Sequence, residues 1–378
     1  MFVLSLFAGV SIPVKSVCDS FPTEFVGNSF PFNTIFYSTY LLDLNVFIYE
    51  IGKETLNNKE LKHGYLEPIK EETQPINLGT NNEPKIIQVG NTLTTLEKDA
   101  LIALLTEFKE AFAWSYEDML GIDTDIVHHY IPMDPTMKPV KQKLRRMKQE
   151  WTLKIKEELE KQYNAGFLRV VNYLEWLANV VPVPKNDGKV RMCVDFRDLN
   201  NASPKDDFLL PHIDILVDNT AGHVLLSIMD GFLGYNQIKM DLEDMKKTSF
   251  IIPWGTYCYK VMPLGLKNPS ATYQCATTTL LHDLIHKEVE VYVDDMIIKS
   301  KDREGHISAL RKFFERIRFY KLQLSSKKCA FEVTSKKLLG FTVSQRGIEV
   351  DLEKIKAIVE MKPLRTEKEI RGYLGRIQ

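Results

Sequence analysis

The 378-residue chain lacks any run of about 18 apolar residues, the length that a membrane-spanning helix needs, so the sequence predicts no bilayer span. Its five cysteines (Cys18, Cys193, Cys258, Cys275, Cys329) are odd in number, widely spaced and without a C-x-x-C pair. That pattern suggests neither a disulfide framework nor a cysteine zinc cage, and a reducing interior is the default. His128-His129 and His282/His286 lack the glutamate and spacing of a zinc protease. The apolar opening MFVLSLFAGVSIPV has no basic residue before it, only Lys15 after it, which argues against a secretory signal. Arginine is absent from residues 1–90, and that segment shows little periodicity beyond a short apolar run, LLDLNVFIYEI; it receives no assignment. There is no internal repeat and no low-complexity tract.

What is present is unevenly distributed. Residues 1–137 carry 8 Lys+Arg against 19 Asp+Glu, whereas 138–378 carry 41 against 31. The second part is therefore the candidate for a polyanionic partner, the alternative being basic residues that coat solvated helices. From Thr92, the positions of Leu96, Ala100, Leu101, Leu104, Leu105, Phe108 and Phe112 predict an amphipathic helix, with Thr94 and Glu97 spaced as a capping box. After the proline-punctuated IPMDPTMKPV, a second helix is expected over 141–167, with Leu144, Met147, Trp151, Ile155 and Leu159 on one stripe and Gly166 as its stop.

Beyond Phe167 short β-rich runs take over: NVVPVPKNDGKVRMCVDF as a hairpin around Asn186-Asp187-Gly188, then VLLSIMD, GTYCYKVM, VEVYVDDMIIK and LLGFTVSQRGIEV. Helical stretches over 267–286 and 305–320 separate them. Strand pairs alternating with helices, without a βαβ rhythm, predict an α+β fold with a mainly antiparallel sheet.

Within VEVYVDDMIIKS, Val289, Val291 and Val293 fall on one face and Glu290, Tyr292 and Asp294 on the other. Asp294 and Asp295 then stand at the tip of a hairpin. Their repulsion costs several kcal/mol unless a cation is bound or a proton is taken up. Alone, the pair also reads as an exposed acidic turn. A second carboxylate changes that reading, because LLSIMDGFLGYNQIKM runs an apolar strand into Asp230 and then Gly231. Two strands that both end in aspartate can share one site, and such carboxylates can hold two Mg²⁺ ions about 3.5–4 Å apart, one activating an attacking hydroxyl and one steadying a leaving pyrophosphate. That is the chemistry of nucleotidyl transfer.

The ordered set YLEWLANVVPVPKNDGKVRMCVDFRDLN, PKDDFLLPHID, LLSIMDGFLGYNQIKM, GTYCYKVMPLGLKNPSATYQ, VEVYVDDMIIKS and KKCAFEVTSKKLLGFTVSQRGIEV resembles the reverse transcriptase of gypsy-class LTR-retrotransposon polyproteins, particularly those of plants. FAWSYEDMLGID and KPVKQKLRR extend the resemblance upstream, so that it covers residues 91–378. It implies a right-hand polymerase of fingers, palm and thumb with an antiparallel palm sheet: an unassigned segment over 1–90, a helical linker over 91–137, fingers and palm over 138–300, and a thumb over 301–378. The chain then reads as a fragment, because RGYLGRIQ falls just before the family's connection and RNase H, and no protease precedes the polymerase.

The resemblance also implies site residues. Asp230, Asp294 and Asp295 would be the palm carboxylates that hold Mg²⁺ or Mn²⁺, with the Gly231 carbonyl a further donor. Tyr235 would lie under the incoming sugar and favour deoxynucleotides, a buried core tyrosine being its other reading. Arg191 and Lys185 would bind the triphosphate; arginine's planar fork suits phosphate better than lysine's point charge. Gly265 would allow close backbone approach beneath the template base, and Leu339 with Gly340 would form the primer grip. Lys141, Lys143, Arg145, Arg146 and the basic helix over 311–321 would meet backbone phosphates of an RNA template and its primer. Departures from the family pattern stand at Leu233, Leu264, Cys275, Leu174 and Asn201. The expected activity is RNA-directed DNA polymerisation from dNTPs, in a cytoplasmic, virus-like-particle context. The alternative is a catalytically silent nucleic-acid-binding remnant. An RNA-copying RNA polymerase is a third reading, which Tyr235 opposes.

Overall fold

Near-continuous apolar runs build the central sheet. The computed structural model describes residues 73–119, 121–184, 190–338 and 341–350, together with Thr366 and Arg371. Strand Leu225–Asp230 pairs antiparallel with Asp295–Ser300, which pairs in turn with Val289–Tyr292. On the other flank Leu225–Asp230 pairs antiparallel with Ala330–Val333, and that strand runs parallel to Ile86–Gly90, which closes a hairpin with Thr73–Asn77. The result is a six-stranded, mainly antiparallel palm sheet.

Successive side chains of a strand point to opposite faces, and both faces of this sheet are covered. Met229, Met296 and Ile298 join the large core beneath helices Pro269–Leu280 and Glu304–Phe319, while Leu226, Ile228 and Ile297 join a smaller one with Leu216 and Val217 of helix Ile213–Thr220 and with Leu338 and Val343. A second, five-stranded sheet forms the fingers from Leu168–Val170, Gly255–Tyr259, Phe250–Ile252, Ala178–Pro184 and Val190–Val194. Beyond the palm, Ser335–Leu338, Phe341–Ser344 and Gly347–Val350 make a three-stranded sheet.

The helix expected from Thr92 is observed as Thr95–Glu107, capped by Thr94 with the reciprocal Glu97 bond. It ends before Phe108 and Phe112, and Leu96 faces solvent at 83% exposure. The second helix begins only at Gln149 and runs to Asn164. Leu144 is exposed and Met147 precedes the helix, because residues 141–148 run against the fingers: the Gln142 N–H donates to the Leu177 carbonyl, Gln142 Oε1 accepts from the Asn179 N–H, and the Arg145 N–H donates to Asn179 Oδ1. Gly166 does close the helix, at φ +77°.

Three parts of the domain plan differ from the sequence expectation. Residues 73–90, left unassigned by the sequence, supply the outer hairpin of the palm sheet. The segment over 91–137 is built into the core, since Phe108 and Phe112 pack on Phe314, and Phe112 meets Phe331 at 6.0 Å. Helix Glu304–Phe319 and strand Ala330–Val333, expected in the thumb, belong to the palm because the strand hydrogen-bonds between Leu225–Asp230 and Ile86–Gly90. Residues 1–72, the 186–188 turn and the continuous stretch from 351 to 365 lie outside the described residues. Among the described residues no helix is long and apolar enough to cross a membrane.

Candidate active site in the palm

Sheet register brings the carboxylates together. Asp295 is the cross-strand partner of Asp230, and Tyr292 pairs with Asp295, so Val293 and Asp294 form a two-residue turn at the tip of the hairpin. Val293 is therefore in the turn and does not continue the strand face of Val289 and Val291. It takes φ +52°, a left-handed conformation that disfavours β-branched residues. Gln274, buried in helix Pro269–Leu280, holds the tip: its Oε1 accepts from the Val293 N–H at 2.5 Å and its Nε2 donates to the Val291 carbonyl at 3.3 Å.

Burial and neighbouring charge perturb the three aspartates. Burial raises the pKa of all three carboxyls, and for Asp294 burial together with the charges of Asp230 and Asp295 pushes it up to about 6. Asp294 Oδ1 is buried and has no hydrogen-bond partner. Lys328 opposes the trend, its Nζ donating to both oxygens of Asp230 at 2.9 and 3.0 Å from a side chain that is mostly exposed. Two glycines clear the space around these groups. A Cβ on Gly231 would lie 2.5 Å from the Tyr273 hydroxyl, and one on Gly234 would overlap Asp294 Oδ1.

Oxygen donors of this kind, one of them an orphan, fit a hard divalent cation. Among the described residues no group of three or more His, Cys, Asp or Glu side chains converges as a ready cage. Asp230 is instead turned to Lys328, which neutralises it locally.

Tyr235 stands beside the carboxylates on the turn after Asp230. Its hydroxyl is bonded to Ser270 Oγ at 2.7 Å, its ring lies 5.6 Å from that of Tyr273, and burial raises its pKa. The preceding residue but one, Leu233, takes φ +47°. Gly265 has φ +98°, so a side chain there would be strained, and its carbonyl accepts from Asn200 Nδ2 at 2.8 Å. Arg191 is exposed on the fingers hairpin, opposite Val183. Lys185, Leu339 and Gly340 lie outside the described residues.

The basic segments divide. Lys141, Lys143 and Arg146 are exposed, whereas Arg145 pairs with the buried Asp195 at 3.2 Å. In helix Glu304–Phe319 the basic side chains have acidic partners. Arg311 pairs with Glu107, Lys312 with Glu288, Arg316 with Asp283 and Arg318 with Glu110, so these cations join the helix to its neighbours. Sequence reasoning missed Lys328, Gln274 and Tyr273. KKCAF and ATYQ had carried the resemblance as motifs, but nothing local shows that their side chains reach the aspartates.

The palm sheet, the fingers sheet and a carboxylate hairpin facing a second strand-end aspartate define a right-hand polymerase fold. Residues 183–343 match the family model described as reverse transcriptase (RNA-dependent DNA polymerase). The chain is 30% identical over 241 residues to the Retrovirus-related Pol polyprotein from transposon 297 of Drosophila melanogaster, covering 63% of this chain and 23% of that protein. It is 27% identical over 221 residues to the Transposon Tf2-3 polyprotein of Schizosaccharomyces pombe, covering 58% and 16%. The chain thus spans less than a quarter of the length of these curated relatives. Among solved structures, the foamy viral protease-reverse transcriptase in complex with RNA/DNA hybrid superposes with a TM-score of 0.65 at 23% identity, over 75% of this chain and 38% of that one. The form of that enzyme termed dRH, in complex with double-stranded DNA, gives 0.68 at 18% identity, over 83% and 64%. These likenesses establish the fold.

Proposed function

We propose that the chain is the polymerase part of an LTR-retrotransposon polyprotein, of the gypsy class and close in motif wording to plant elements, acting as an RNA-directed DNA polymerase. The observation that carries the reading is the register that sets Asp295 opposite Asp230 with Asp294 in the adjoining turn, inside the segment matching the reverse transcriptase model. Asp230, Asp294 and Asp295 would hold Mg²⁺ or Mn²⁺, with the Gly231 carbonyl as a further donor. The bound cations would supply charge neutralisation at the attacking 3′-hydroxyl and the leaving pyrophosphate.

The protein's own residues would do the positioning. Arg191, together with Lys185, would pair the triphosphate oxygens of the dNTP. Tyr235, whose hydroxyl is hydrogen-bonded to Ser270 Oγ, would lie under the incoming sugar and favour deoxynucleotides. Gly265 would let the template base approach the backbone, and Leu339 and Gly340 would seat the primer end. Partial burial of the carboxylates reduces their contact with water, which strengthens each electrostatic contact. The partners are an RNA template, its primer and dNTPs, and the cellular setting is the cytoplasmic particle of a retroelement.

Primer extension on an RNA template with labelled deoxynucleotides and Mg²⁺ tests this. The wild type is expected to extend, while Asp294→Asn and Asp230→Asn lose extension by at least about a hundredfold. No extension by the wild type, together with salt-sensitive binding of primed RNA, would replace the reading with a silent nucleic-acid-binding remnant.

A further inference from the structure

Two buried polar atoms near the carboxylates have no partner: the Tyr273 hydroxyl and Asp294 Oδ1. Tyr273 is fully buried, at 0% exposure, in helix Pro269–Leu280 beneath the hairpin. Both atoms crowd the same glycine. A Cβ built on Gly234 would overlap Asp294 Oδ1 and would stand 3.0 Å from the Tyr273 hydroxyl. Gly231, whose N–H donates to the Asp294 carbonyl at 3.3 Å, lies against that hydroxyl as well.

A buried hydroxyl left unbonded costs about 1–3 kcal/mol, and phenylalanine would fill the same volume without that cost. The neighbouring tyrosine shows the contrast, because the Tyr235 hydroxyl is already taken by Ser270. One free donor and one free acceptor, kept apart from solvent and given room by two glycines, are a hydrogen bond waiting for a small movement.

We propose that Tyr273 is a positioning residue for Asp294, its hydroxyl donating to Oδ1 and thereby aiming the other carboxylate oxygen at the cation when the site is loaded. The proposal rests on the polymerase reading above. Tyr273 itself touches neither substrate nor cation; it acts through Asp294, as outer partners of metal-ligating carboxylates do.

The test is Tyr273→Phe, with Mn²⁺ binding followed by the electron paramagnetic resonance signal of the free ion. The variant is expected to bind Mn²⁺ about 10-fold more weakly, while its unfolding temperature in EDTA stays equal to that of the wild type or rises. In an Asp294→Ala background, which removes the acceptor, the same substitution should change Mn²⁺ affinity no further, the signature of a coupled pair. In primer extension the half-saturating Mg²⁺ concentration should rise with the KM for dNTP unchanged. Unaltered Mn²⁺ affinity in Tyr273→Phe, or an equal loss in the Asp294→Ala background, would overturn the positioning role while leaving the polymerase reading intact. A wild type that binds no Mn²⁺ would overturn both.

Discussion

Glu332 offers a prediction that does not involve the carboxylate site. It lies in the irregular pairing of Ala330–Val333 with Leu225–Asp230, at φ +51°, with 1% of its surface exposed. Its N–H donates to Ser227 Oγ at 2.9 Å, yet Oε2 has no partner. Arg303, the nearby cation, is engaged with Glu97 at 3.2 Å. Burial, with the charge of Glu97 adding and Arg303 opposing, raises the Glu332 carboxyl from an ordinary 4.5 to about 7. Below pH 4.5 the group is protonated whether the chain is folded or not. Between there and pH 7 the unfolded chain releases the proton while the folded one retains it, so stability is lost as pH rises through that window. At 1.36 kcal/mol per unit the loss approaches about 3 kcal/mol. Glu332→Gln removes the titration, and any cost of its buried amide is independent of pH. Urea unfolding in EDTA should therefore show a stability difference, variant minus wild type, about 2–3 kcal/mol larger at about pH 8 than at about pH 5. Asp294 titrates in the same direction, which is why the measurement is a difference. A gap that stays constant across this range would refute the assignment of the titration to Glu332.

The remaining predictions concern the hairpin and the basic residues. Gln274→Leu strands the Val293 N–H and the Val291 carbonyl, and chemical denaturation should show a loss of about 2–4 kcal/mol. Lys328→Met removes the cation from Asp230; because the lysine is exposed, stability should change by less than about 1 kcal/mol. The acid limb of the pH–rate profile for extension should then move to higher pH, since Asp230 loses the charge that restrains its pKa. Arg311→Ala and Lys312→Ala should leave the salt dependence of primed-RNA binding unchanged, because both side chains answer acidic neighbours. Lys143→Ala and Arg146→Ala, which replace exposed cations, should each flatten the slope by about one unit, the counterion share of a single phosphate.

Local pattern alone determined a good deal of this molecule. An apolar strand that ends in Asp230, and a hairpin that turns at Asp294, can be read from alternation and turn chemistry, which act over a few residues. So can the Thr94 cap and the Gly166 stop. Tertiary structure decided the rest, because it depends on pairings between distant parts of the chain. The parallel seat of Ile86–Gly90 beside Ala330–Val333 has no short-range signal, and so residues 73–90 went unassigned. The basic face of helix Glu304–Phe319 looked like a phosphate surface until Glu107, Glu110, Asp283 and Glu288 were brought against it. Lys328 meets Asp230 across 98 positions, and Tyr273 meets the Gly231 and Gly234 turn only when helix and sheet pack. Sequence placed the carboxylates at the ends of strands; only packing determined which cation, which amide and which hydroxyl stand around them, since a side chain's partners are fixed by the fold's long-range pairings and not by its neighbours in the chain.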